Sequence, residues 1–152
     1  MTRLGRMTSR SRTRWLVTLI LRLVLGAVFI YGAWAKLRTP WELFAMSVDS
    51  YHVLPLAQVE LVARTLPWLE LAIGVLLIVG LFPRITSVAT TLMLLGFFGL
   101  MVRAYAKGEE INCGCFGPGE MISWKTLLRD GSLVGAGAAL VCMAFMARRK
   151  TA

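Results

Sequence analysis

The most reactive side chains of this chain fall within three residues, Cys113-Gly114-Cys115, inside the stretch "INCGCFGPGE" at 111–120. A disulfide between residues i and i+2 closes a very small ring whose preferred torsions are hard to reach. Gly114 relieves the backbone, and Gly117, Pro118 and Gly119 turn the chain directly afterwards. Such a ring is too short to stabilise a fold by chain entropy. Strain and exposure raise its reduction potential, as in redox-active disulfides. Thiol–disulfide exchange is therefore the chemistry expected of Cys113 and Cys115, with a structural disulfide as the alternative. No metal site is expected. Two thiolates and one distant histidine, His52, are too few for a closed zinc site, and two-coordinate Cu(I) is the metal chemistry they leave open. His52 itself reads as a polar residue near Pro55 at the membrane interface.

A second set of chemically able residues lies inside apolar runs: Arg22, Glu70, Arg129 and Asp130, with Lys36 and Arg103 at the ends of such runs. Charges in lipid are costly, so these residues should face the interior and pair. At 100° per residue, Arg22, Gly26, Phe29, Ala33 and Lys36 fall within about 40° of one line along a helix. Counting about 1.5 Å per residue puts Glu70 roughly 10 Å below the outer surface, level with Arg129 and Asp130 and just under Lys36. A polar cluster of Lys36, Glu70, Arg129 and Asp130 beneath the cysteine loop follows, with Arg22 in the inner half. It would act as a structural ion-pair network, or as a proton path or the polar end of a ligand site. Cys142 reads as a small buried apolar residue, too far from the loop to resolve a disulfide.

The elements that must position these residues are membrane spans. Of the 152 residues 57% are apolar and 16% charged, against about a quarter charged in soluble domains. Windows 15–37, 61–82, 85–106 and 124–147 each give about 20 or more mainly apolar positions, enough to cross a hydrocarbon core of about 30 Å. The fold class is all-α: a four-transmembrane-helix bundle (15–147) between a basic arm (1–14) and a basic tail (148–152). The second and third spans are separated by Pro83 and Arg84, a tight hairpin. Small residues in "GSLVGAGAAL" of the last span, and Gly96 and Gly99 in the third, are expected to allow close helix contact. In the first outer loop Trp41, Phe44, Val48 and Tyr51 form one apolar face of a short helix lying at the interface.

Charge orients the bundle. Net charge is +9. Arg3, Arg6, Arg10, Arg12, Arg14, Arg84, Arg148, Arg149 and Lys150 all fall on one side of a four-span topology, and the eight acidic residues lie elsewhere. The positive-inside rule places both termini in the cytoplasm and loops 38–60 and 107–123 on the periplasmic side of the inner membrane, an oxidising compartment. The N-terminal arm is placed to meet anionic lipid. Nucleic acid is excluded as a partner, because no stacking aromatics interleave the arginines. The basic start and "AWA" at 33–35 imitate a cleavable signal, but Arg22 interrupts the apolar run, which is too long for one.

The stretches "RLVLGAVFIYGAWAKLRTP", "YHVLP", "LPWLELAIGVLLIVGLFPR" and "CGCFG" followed by "WKTLLRD" resemble the MauE branch of the DoxX-like membrane proteins, from about Arg22 to Asp130. Arg, Lys, Glu, Cys-x-Cys and Arg-Asp occur in that family's order. The resemblance implies a role in maturing an exported, disulfide-rich partner, and the DoxX relatives imply membrane thiol and quinone chemistry. The function expected is thus a membrane thiol–disulfide oxidoreductase or maturation factor. Its Cys113/Cys115 pair would exchange electrons with a periplasmic thiol protein and pass them to quinone, with no covalently bound cofactor. With one outer cysteine pair, either the acceptor is reached directly or a partner subunit or second copy supplies the next step. The rival is a non-enzymatic scaffold or small-molecule carrier with structural cysteines.

Overall fold

The computed structural model describes residues 9–116 and 119–146. They form five helices: α1 (Ser9–Leu37), α2 (Trp41–Asp49), α3 (Leu56–Val79), α4 (Pro83–Ala106) and α5 (Trp124–Met146). Four of these, all but α2, are long and apolar enough to cross a membrane. α1 begins at Ser9, inside the stretch read as a basic arm; the residues before it and the tail from 147 lie outside the described residues.

Prolines and glycines set the boundaries. α2 follows Pro40 and α3 follows Pro55. α3 stops at Gly80, whose left-handed backbone (φ 84°) lets its N–H donate to Leu76 O at 2.8 Å. Pro83 then opens α4 at its first turn, where a missing N–H costs nothing. The hairpin is therefore Gly80-Leu81-Phe82, and Pro83 and Arg84 belong to α4 rather than to the turn. α5 starts on a reciprocal cap: Ser123 N donates to Thr126 Oγ1 at 2.8 Å and Thr126 N to Ser123 Oγ at 3.4 Å.

α1 packs most extensively on α3, and α4 on α5. The core gathers Leu25, Phe29, Ile73, Leu77 and Leu140, while Trp15, Leu56, Trp68 and Leu92 face outward as lipid-facing residues should. The α1–α3 crossing turns on two glycines. A Cβ on Gly26 would stand 3.0 Å from Gly74 O, and one on Gly74 would stand 2.9 Å from Gly26 O, so here the backbones touch. In α5, Gly137 makes a similar approach to Thr91 of α4. Gly96 and Gly99 have open space where a Cβ would be, so they are not packing glycines. Cys142 is exposed on the outside of the bundle and not buried as expected.

α2 turns Phe44 and Ser47 inward. Trp41, expected on that face, instead stacks under the Arg64 guanidinium at 4.3 Å. His52 adopts a positive φ of 50° in the turn after α2 and is exposed.

Candidate functional site

The cysteine loop, between α4 and α5, folds back onto its end of the bundle. An antiparallel bridge joins Asn112 to Met121. Cys113 N donates to Glu120 O at 2.7 Å and Ile122 N to Ile111 O at 3.1 Å. Gly114 has a left-handed backbone (φ 72°), and a Cβ there would lie 3.3 Å from the Ser47 side chain, so glycine both makes the turn and lets α2 close over it. Tyr51 OH donates to Cys113 O at 3.1 Å.

This placement overturns the exposure expected of the pair: Cys113 is 2% exposed and Cys115 half-buried. Their Sγ atoms and a carboxylate oxygen of Asp130 all lie within 4.8 Å of one another. The two thiols shift each other in opposite directions. Cys113 is lowered from the usual thiol range, chiefly because Cys115 donates a hydrogen bond to it, and Cys115 is raised by that same bond and by burial. Tyr51 is pushed well above its usual range by burial and by the neighbouring thiols, so it stays a hydrogen-bond donor. Lys107 and Lys125, the lysines that flank the loop in sequence, are turned to Glu109 and to the Trp124 ring.

The cation beside the pair is Lys36. Its Nζ donates to both Glu70 oxygens, at 2.9 and 2.8 Å, and to Cys115 O at 2.7 Å. The rings of Phe44 and Phe97 lie 5.3 and 5.9 Å from it. Lys36 and Glu70 are 3% and 6% exposed. On the other flank Arg129 binds both oxygens of Asp130 and one of Glu120, and stacks on Phe116 at 4.5 Å. The expected single cluster is thus two ion-pair groups, Lys36–Glu70 and Arg129–Asp130–Glu120, on either side of the loop. A cavity of about 40 Å³ between them touches Glu70, Cys115 and Asp130. Arg22 stands apart, donating to Leu77 O at 2.9 Å near the α3–α4 turn.

A larger cavity of about 460 Å³ lies between α2, α3 and α4, lined almost wholly by apolar carbon. Phe44, Leu66, Met93, Gly96 and Phe97 form its walls, and Cys113 and Gly114 close it at the cysteine loop. The open space beside Gly96 is part of it. Two participants were not read from the sequence: Phe116 and Met101, whose Sδ lies 3.6 Å from Cys113 Sγ and 3.9 Å from Cys115 Sγ.

A family model described as "Methylamine utilisation protein MauE" matches residues 14–144. The chain belongs to the MauE family. The methylamine utilization protein MauE of Paracoccus denitrificans is 34% identical over 113 residues, which cover 72% of this chain and 60% of that relative. The matched region thus spans less than two thirds of the relative's length. No solved structure matches the chain. With four helices able to span, this MauE-family chain is a membrane protein, and its Cys-Gly-Cys puts two thiols at the meeting point of the α4–α5 loop, two ion pairs and an apolar cavity.

Proposed function

We propose that this MauE-family protein is an inner-membrane thiol–disulfide oxidoreductase that supports disulfide formation in an exported partner. The carrying observation is the convergence of the two thiols and the Asp130 carboxylate within 4.8 Å, at the end of a cavity open to apolar ligands. In this reading both termini are cytoplasmic and the Cys113/Cys115 loop is periplasmic, which the distribution of basic residues supports. The name of the Paracoccus relative suggests methylamine utilisation as the setting.

The two sulfurs differ in exposure, and that asymmetry divides the work. Cys115 is the more exposed, so a partner thiolate attacks Cys115 Sγ of the oxidised pair, and the Cys113–Cys115 bond breaks. Cys113 leaves as the thiolate that its environment favours. The second partner thiol then attacks the mixed disulfide, giving an oxidised partner and a reduced Cys113/Cys115 pair. To close the cycle the pair must give up two electrons and two protons. A lipid-soluble quinone takes both and becomes quinol; the cavity, of a size that suits a small ligand (about 300–1,000 Å³), brings such a molecule to Cys113. Lys36 holds the Cys115 carbonyl while the thiols change partners.

A redox titration of purified protein in glutathione buffers, read by alkylation and mass spectrometry of the loop peptide, tests this. A reversible pair with a potential above about −300 mV, the upper bound for ordinary structural disulfides, is expected. A pair that stays oxidised under strongly reducing buffer would sink the reading.

A further inference from the structure

Met101 lies where α4 passes under the cysteine loop, with no surface exposed. A thioether has no part in disulfide exchange, yet this one is turned to both thiols, at 3.6 and 3.9 Å. Three metal–sulfur bonds of about 2.3 Å, spread at 120°, would set their sulfurs about 4.0 Å apart. These two edges are within a few tenths of an ångström of that triangle, and the third edge is bounded by the 4.8 Å limit on the thiol pair.

Donor chemistry then selects the ion. Thiolate and thioether are soft ligands that together favour Cu(I), while zinc takes thiolate, imidazole and carboxylate but not thioether. The one hard donor within reach, Asp130, already has both oxygens engaged by Arg129. We infer that Met101, Cys113 and Cys115 form a three-coordinate all-sulfur site for Cu(I). Two thiolates and one Cu(I) retain a single negative charge, which sits beside the Lys36 ammonium held on the Cys115 carbonyl. Burial of Cys113 and Met101 keeps water from competing for the metal. The metal was unexpected from the sequence because the pair lacked a third ligand, and the fold supplies one from a span.

This site stands independently of the redox reading, since it needs only the convergence of sulfurs. It has a consequence for that reading, because bound Cu(I) holds both thiols reduced and prevents the disulfide.

The test is anaerobic titration of reduced full-length protein in detergent with Cu(I), against a chromophoric Cu(I) chelator. A Cys142→Ser background removes the one thiol outside the site. One equivalent should bind, and Cys113→Ser or Cys115→Ser should abolish it. Met101→Leu, which conserves volume, should weaken binding by at least the roughly 10–100-fold that losing even a supporting contact costs a metal site. X-ray absorption should give three sulfur neighbours in wild type and two in Met101→Leu, with unchanged melting showing that the variant is folded. Binding no tighter than in the double cysteine variant would overturn the proposal. So would wild-type affinity in a folded Met101→Leu protein, or displacement of Cu(I) by equimolar Zn(II). A pair that binds Cu(I) as described but never cycles to a disulfide would leave this site standing and remove the oxidoreductase reading alone.

Discussion

Replacing Glu70 with alanine would strand the Lys36 ammonium. In the native protein that ammonium has two carboxylate oxygens at 2.8 and 2.9 Å, the Cys115 carbonyl at 2.7 Å and two aromatic faces. The pair is nearly sealed, with side chains 1% and 8% exposed. Opposite unit charges at about 4 Å attract by about 4 kcal/mol at an effective dielectric of 20. The carbonyl and the rings recover part of that in the variant, but removing one partner of a buried pair typically costs about 3–5 kcal/mol. At about 2–4 °C per kcal/mol for a chain of this size, melting should fall by roughly 6–20 °C. Intrinsic fluorescence during heating in detergent measures it. Because the cost is an unpaired charge and not a lost contact, Lys36→Met combined with Glu70→Leu should melt above either single variant. A Glu70→Ala protein melting within about 2 °C of wild type, or a double variant showing the plain sum of the singles, would refute the reasoning.

Other outcomes follow from the same geometry. Reporters fused after Ala152 and at Gly119 should read opposite sides of the membrane, with Gly119 periplasmic, and the same side for both would sink the four-span topology. Cys113 has a lowered pKa, so it ionises at a lower pH than an ordinary thiol. Cys115→Ala removes the donor responsible, and the pH profile of Cys113 alkylation should move to higher pH; an unmoved profile would deny the hydrogen bond. Gly80→Ala must hold a left-handed backbone, at about 1–2 kcal/mol, and its Cβ would overlap the Arg22 guanidinium. Melting should fall by about 2–8 °C or more, and by less when Arg22→Met is already present.

The spans could be read in the sequence because lipid imposes about 20 apolar residues wherever a helix crosses. The same cost of burying charge brought Lys36 and Glu70 under suspicion, and depth along the helices put them at one level. Direction around a helix was harder to read. Gly96 and Gly99 carry the same residue type as Gly26 and Gly74, yet the first two face open space and the second two set a helix crossing. Nothing local distinguishes them, because the difference lies in which neighbour each face meets. Met101 was invisible for the same reason, as a methionine within an apolar run has no periodic signature. The burial of Cys113 depends on bonds from Lys36 and Tyr51, 79 and 62 residues distant from the carbonyls they hold, and hydropathy contains no trace of them.

The partnering of α1 with α3 also bears on how the chain is made. Arg22 waits for Leu77, 55 residues later, and Lys36 waits for Glu70, 34 residues later. At about 5–20 residues per second of synthesis, the first helix spends on the order of several seconds carrying two unmatched cations. During that interval it has reason to linger near the insertion machinery instead of diffusing into bulk lipid. A nascent chain stopped before Glu70 would hold its first helix at the translocon, and release of that helix would come with the emergence of the third.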